Sequence, residues 1–411
     1  MTKLLKILWI LKSLTEAENR QKLKTLFREY WHDATTQKLK RSYPEPYHAE
    51  NLDLGLNHKI LLVVHQFSRT GAPYAALYLA RAIYTIMGVH PVVIAPVDGP
   101  LRAEFASEGF PTIVDPMLFS YHDYSPKACE FVSHFDRVIV TPLAAYNFIR
   151  RFRGIAKRLT WWIHETGVGF NAVASMAADL PLLFSVCESV WLGSSLCFPH
   201  ALRYTKADAL ELVLYGSEDT AISHRPHPSG KRVFALIGSV EPRKGQDIFV
   251  AAIQRLPEAL REQAIFRIIG SPLPFDDSVV FHKKICALAR QIPQLECIDT
   301  MPIAELRDYY AETDVLVSAS RDDPMPIVVT EGLMFSMVCL CSSAIGQAPL
   351  LEDGKNGLIF TSESAEDLAN KLTWLLLNPE QLPPLGAGGR KVYEQYFQMS
   401  SFIDHIRQLL R

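Results

Sequence analysis

The sequence of 411 residues has no long apolar run, no Cys-x-x-Cys pair and almost no net charge, at −2. Each shortage excludes something. A membrane span needs about 20 uninterrupted apolar residues, and the longest run near the N-terminus covers only residues 7–11. The seven cysteines, at 129, 187, 197, 286, 297, 339 and 341, are odd in number and scattered. Their spacing supports neither a disulfide framework nor a metal site, and suits a reduced, cytosolic compartment. Near-neutral charge gives no global attraction to nucleic acid. Neither G-x-G-x-x-G nor G-x-x-x-x-G-K-[ST] occurs, so nicotinamide-dinucleotide and P-loop chemistry are poorly supported. No fixed-period repeat of solenoid type is visible.

What is present is the composition of a folded protein, 48% apolar and 21% charged. The length is too great for one ordinary core, so two domains are expected. Leu4, Ile7, Leu8, Leu11 and Leu14 share one helical face, amid Lys3, Lys6, Lys12, Arg20, Lys22, Lys24 and Arg28. No small-residue cleavage pattern follows, which argues against a signal peptide. A basic amphipathic helix of this kind either lies on an anionic membrane or packs on its own protein. The localisation expected is cytoplasmic, with peripheral attachment to the inner face of the plasma membrane as the variant that uses this helix.

Beyond a linker at 42–58, short β-branched runs alternate with helical stretches. Strands are expected at 59–65, 91–95, 112–115, 137–141, 159–164 and 190–194. A second series is expected at 232–237, 264–269, 295–298, 314–319, 338–342 and 357–360. Such alternation predicts two α/β units with parallel sheets. The expected division is an N-terminal helical extension over 1–50, a first Rossmann-like domain over 51–217 and a second over 218–388. C-terminal helices over 389–411 would pack back towards the first domain. In open parallel sheets ligands sit outside the carboxyl ends of the strands. Gly71, His164-Glu165, 238–245 and 323–331 all follow expected strands, and two sheets facing across a cleft would gather them.

The segment 320–331 is the most informative. A buried strand leads into Asp323-Pro324-Met325-Pro326, and a helix is expected over 327–337 with Pro326 in its first turn. An exposed helix N-terminus with unpaired amides suits a phosphate. Acids beside an anion site, Asp323 in the turn and Glu331 on the helix, suggest sugar hydroxyls as their partners. In Gly238-Ser-Val-Glu-Pro-Arg-Lys-Gly-Gln-Asp247, Arg243 and Lys244 are placed to meet a diphosphate, and Gly245 permits close backbone approach. An ordinary solvated loop is the competing reading. Asp276-Asp277, after two prolines, reads as a solvated turn rather than a metal pair. Trp161 and Trp162 read as core, with one of them lining an acceptor cleft as the alternative.

Taken together, IGSVEPRKGQDIFVAAI (237–253), DVLVSASRDDPMPIVVTEGL (314–333), EDGKNGLIF (352–360), RTGAPYAALYLARAI (69–83) and WWIHE (161–165) resemble glycosyltransferase family 4. That family consists of retaining enzymes of the GT-B fold. The resemblance covers roughly 58–405. It implies transfer of a sugar from a UDP- or GDP-linked donor to an acceptor hydroxyl without a metal, in polysaccharide or cell-envelope glycan synthesis. The acceptor would be a saccharide or lipid-linked saccharide.

Residue by residue, the resemblance implies that Lys244 holds the diphosphate and Glu331 binds the ribose. Asp323 would contact the donor sugar, and the backbone at Pro326, Ile327 and Val328 would bind phosphate. Gly71 would lie near the diphosphate from the opposite domain, and His164 beside sugar and acceptor, with Glu165 as its partner or a solvent-facing group. Three positions depart from the family pattern. Asp323 stands where Glu is usual. Ser239 stands where an arginine is usual, with Arg243 as its substitute. Pro349 stands where a glutamate is frequent. The rival functions on this architecture are a catalytically silent scaffold or partner subunit, and a nucleotide-sugar epimerase or phosphorylase.

Overall fold

The computed structural model describes residues 60–119, 126–220, 222–273 and 276–411. The expectations for the N-terminal extension and the linker lie outside these residues. Thirteen strands are described, and they form two sheets. The first is seven-stranded in the order β3-β2-β1-β4-β5-β6-β7. Its strands are β1 Ile60–Val63, β2 Val92–Ala95, β3 Thr112–Val114, β4 Arg137–Val140, β5 Leu159–Ile163, β6 Ser189–Leu192 and β7 Leu210–Leu212. The second is six-stranded in the order β10-β9-β8-β11-β12-β13. It contains β8 Arg232–Ile237, β9 Ala264–Ile269, β10 Leu295–Ile298, β11 Val315–Ser318, β12 Val338–Ser342 and β13 Leu358–Phe360. The ladders are parallel, with Val315 opposite Phe234 and Leu316 opposite Ala235 where β11 meets β8.

The central strands are mostly apolar and buried because helices cover both faces of a parallel sheet. In the second sheet Phe234, Leu236, Phe266, Val315 and Val317 are buried. They share one core with Ile248, Phe249 and Ile253 of the helix Gln246–Arg255, and with Phe281, Ile285 and Ala289 of the helix Asp276–Ala289. Both sheets reverse strand order beside their first strand, at β1/β4 and at β8/β11. These are the topological switch points outside which open α/β sheets bind ligands.

The chain divides into two compact units. One comprises the described residues up to Ala76 with Val89–Trp161 and Asn171–Ser189; the other comprises Leu77–Gly88, Trp162–Phe170 and Val190–Arg411. Among the described residues no helix is long and apolar enough to cross a membrane.

Three local expectations change. The strand β7 was not anticipated; it is three residues long with an exposed Glu211 at its centre, too short to show a pattern. Asp276 and Asp277 do not form a solvated turn but open the helix Asp276–Ala289, where carboxylates complement the helix N-terminus. The C-terminal pair consists of Leu382–Tyr396 and Met399–Leu409, so the first helix starts well before Gly389 despite two prolines. Proline is tolerated in a first helical turn. The glycines of that helix lie against other backbone: a Cβ on Gly386 would stand 2.1 Å from the Ser336 carbonyl oxygen.

Candidate functional site

At the switch point of the second sheet, two loops leave β8 and β11 side by side. Gly245 has a left-handed φ of +71°, and a Cβ there would stand 2.0 Å from the carbonyl oxygen of Ala319. Only glycine lets the β8 loop press this closely on the end of β11. Just before it, a 3₁₀ turn over Pro242–Lys244 presents Arg243 and Lys244. The loops are laced together: the Arg321 amide donates to the Arg243 carbonyl at 2.8 Å, and its guanidinium grips Asp247 through two bonds of 2.9 Å.

Asp323 is held from the other side. Its amide donates to the Ala344 carbonyl at 3.3 Å and its carbonyl accepts from the Gly346 amide at 3.0 Å. Its side chain is only 8% exposed. Lys244 Nζ donates to Asp323 Oδ2 at 2.5 Å, and Arg243 Nη1 lies 3.3 Å from the same oxygen. Burial pushes this carboxyl up, but Lys244 and Arg243 outweigh it and hold it below the usual carboxylate range. Arg243 also donates to Glu241 at 2.9 Å and to the Asp322 carbonyl at 2.9 Å. The first acid of the segment is thus an ion-pair partner of both cations of the loop.

The helix after this turn spans Ile327–Met334, shorter than expected because Phe335 caps it and Ser336 turns to φ +60°. Pro326 is its N-cap rather than a first-turn residue. The Pro326 carbonyl accepts from the Val329 amide at 3.1 Å and from Gln347 Nε2 at 2.9 Å. Gln347 also donates to Thr330 Oγ1 at 3.2 Å, and Thr330 shares a hydrogen bond of 2.8 Å with the Tyr215 hydroxyl. Ile327 and Val328 stay half-buried. Their amides belong to the first turn, which has no helical acceptor.

Further along that helix, Tyr310 Oη donates to Glu331 Oε2 at 2.5 Å. Burial raises the Glu331 carboxyl above its usual range, and the Tyr310 bond offsets part of that rise. The two acids are therefore poised oppositely: Asp323 is held ionised, while Glu331 is biased towards its neutral form.

His164 follows β5, with its ring 4.5 Å from that of Trp162. A Cβ on Gly193 would stand 2.5 Å from its Nδ1, so that glycine makes room for the imidazole. Glu165 accepts the His164 amide at 3.1 Å, and Thr166 Oγ1 donates to Asp322 within the same compact unit. Trp161 and Trp162 are fully buried, their indoles donating to the carbonyls of Pro142 and Val213 at 3.1 Å. Both are core residues. Gly71 belongs to the other unit, where it opens the helix Gly71–Met87, and a Cβ there would meet nothing within 4 Å.

Of the expected residues, the structure thus gathers Arg243, Lys244 and Asp323 in one cluster. It places Pro326, Ile327, Val328 and Glu331 on the helix that continues from it. Ser239, the departure noted in the loop, spends its hydroxyl on Glu241 at 2.9 Å, and Glu241 is also bound by Arg243. Sequence reasoning missed Tyr310, Gln347 and Thr330. They act by holding others, which carries no local signature.

The family of glycosyl transferases group 1 matches residues 217–392, the stretch that contains this cluster. The chain is accordingly a glycosyltransferase enzyme. An uncharacterized glycosyltransferase of Methanocaldococcus jannaschii is 24% identical over 295 residues, covering 60% of this chain and 78% of that one. The D-inositol 3-phosphate glycosyltransferase of Thermobispora bispora is 25% identical over 168 residues, and the match covers 39% of each protein. Among solved structures, Anabaena HepE in complex with UDP and glucose aligns with a TM-score of 0.71 at 16% identity, over 86% of this chain and 99% of that one. That likeness shows the fold: the chain is GT-B, with two Rossmann-like domains, and the family match falls on the second.

Proposed function

We propose that the protein transfers a glycosyl group from a nucleoside-diphosphate sugar to an acceptor hydroxyl, with retention of anomeric configuration and without a metal ion. The observation that carries this reading is the convergence of Arg243 and Lys244 with a helix N-terminus at the β8/β11 switch point. Breaking the anomeric C–O bond leaves negative charge on the β-phosphate. Lys244, Arg243 and the amides of Ile327 and Val328 take up that charge, each preorganised donor contributing about 3–4 kcal/mol in a site that excludes water. Glu331 accepts hydrogen bonds from the ribose once ionised. Asp323 accepts from the donor sugar as Lys244 turns from its carboxylate to the diphosphate. His164 serves the sugar and acceptor side.

Retention and family 4 membership rest on the sequence motifs. A UDP-linked donor is favoured by HepE, solved with UDP-glucose. Polysaccharide or envelope glycan synthesis, and attachment to an anionic membrane surface, rest on the motifs and on the basic pattern of residues 1–41.

Nucleotide release from UDP- and GDP-sugars, measured against a panel of saccharide and lipid-linked saccharide acceptors, tests the reading. Acceptor-dependent release is expected, falling roughly 10²–10³-fold in folded Lys244→Ala protein. Release that needs no acceptor and leaves an isomerised sugar would replace transfer by epimerisation.

A further inference from the structure

Two cysteines that the site does not use meet at the outer edge of the second sheet. The strand β10 is an edge strand, and alternation along it sends Cys297 to the same face as the buried Leu295. Leu295 packs in the core with Ile285 and Ala289 of the helix Asp276–Ala289. That helix therefore covers the face on which Cys297 lies. On the helix, Cys286 follows Ile285 and sits one turn from His282. Cys286 Sγ is 3.4 Å from His282 Nε2, and its thiol is a near neighbour of the Cys297 thiol. Cys297 is an exposed residue and Cys286 a partly buried one. Four of the other five cysteines differ. Cys197, Cys339 and Cys341 are buried, while Cys187 donates to the Leu183 carbonyl within its own turn.

The geometry points to a redox-active dithiol at Cys286 and Cys297, closed to a disulfide by a hydroperoxide. With Nε2 unprotonated, His282 accepts the Cys286 proton. The sulfur attacks the peroxide, the O–O bond breaks, and Cys286 becomes a sulfenic acid while the departing oxygen leaves as an alcohol or water. Cys297 then attacks the Cys286 sulfur; the S–S bond forms, the S–O bond breaks, and the leaving hydroxide takes the Cys297 proton as water. Each sulfur loses one electron and the peroxide gains two. Desolvation, and then the neighbouring Cys286 thiol, push the Cys297 thiol up to about 12, which leaves Cys286, beside His282, as the thiol that meets the peroxide first. The bond would tie the edge strand to the helix that covers it. Just beyond β10, Thr300 and Ser271 exchange two hydrogen bonds of 3.0 Å that join the loops after β9 and β10.

The test treats the reduced full chain with stoichiometric hydrogen peroxide, followed by alkylation and peptide mass mapping. The expected result is the loss of two free thiols and a cross-link between the peptides bearing Cys286 and Cys297, reversed by dithiothreitol. In Cys297→Ser, a sulfenic-acid probe is expected to label Cys286. In His282→Gln, thiol loss should slow severalfold while reaching the same cross-link. An unchanged thiol count in the wild type, a cross-link between other cysteines, or labelling of Cys297 in Cys286→Ser at the wild-type rate would overturn the proposal. The wild-type measurement stands whether or not a variant folds.

Discussion

Removing Asp323 should destabilise the second unit more than removing Lys244, because of how the three charges are arranged. At 2.5 Å, and with an effective dielectric of roughly 20, the gross attraction between Lys244 and Asp323 is about 7 kcal/mol. Desolvation of the buried Asp323 and the largely covered Lys244, several kcal/mol for a buried ion, offsets most of it. Deleting one partner of such a pair costs about 3–5 kcal/mol, since the other charge stays buried. Asp323→Asn leaves both Lys244 and Arg243 facing a neutral group and should fall at the upper end. Lys244→Ala leaves Asp323 with Arg243 at 3.3 Å and should fall at the lower end. Replacing both should cost less than the sum, with a coupling of about 1–3 kcal/mol. Urea unfolding of the wild type, both single variants and the double variant measures these values. The pH dependence gives a second reading. The folded pKa of Asp323 lies below its ordinary value of 3.8. Its contribution is therefore present above that value and lost as pH falls through the lower folded pKa. Additive costs, or a wild type that keeps its margin over Asp323→Asn at the acid end, would refute the pair.

Two further perturbations read other parts of the site. Gly245→Ala should cost about 1–2 kcal/mol from the left-handed backbone alone. Displacement of the Ala319 carbonyl should add to that and weaken nucleotide binding; an unchanged urea midpoint would contradict the close approach of the two loops. Tyr310→Phe removes the bond that offsets the raised Glu331 carboxyl, so that pKa should rise further. Nucleotide affinity should then fall away at a higher pH than in the wild type, as calorimetry across the acid range would show; an unmoved profile would separate Glu331 from binding.

Much of the second sheet was legible because its strands are short, mostly apolar runs bounded by polar or turn residues: 232–237, 264–269, 295–298 and 338–342 coincide with β8, β9, β10 and β12. Buried parallel strands write themselves as such runs. The edge strand β7 and the glycine-rich start of Leu382–Tyr396 do not, because a three-residue ladder and a backbone-to-backbone contact leave no periodic trace. The expectation for 320–331 located a turn, a helix and two acids. It gave those acids sugar hydroxyls as partners, whereas Lys244, 79 residues away, bonds directly to Asp323. Pairing at that separation is set by the β8/β11 crossover, which strand order fixes and local sequence does not. The same holds for Tyr310 and Glu331, whose bond joins two helices on either side of β11.

The central claim is that Lys244 and the helix beginning at Ile327 hold the diphosphate of a nucleotide sugar. Calorimetric titration of the full chain with UDP and with GDP, beside folded Lys244→Ala protein, tests it most directly. Saturable binding of one nucleotide by the wild type, weakened at least tenfold by the substitution (about 1.4 kcal/mol), is the predicted result. Equal affinity in the two proteins, or no binding of either nucleotide by the wild type, would contradict it.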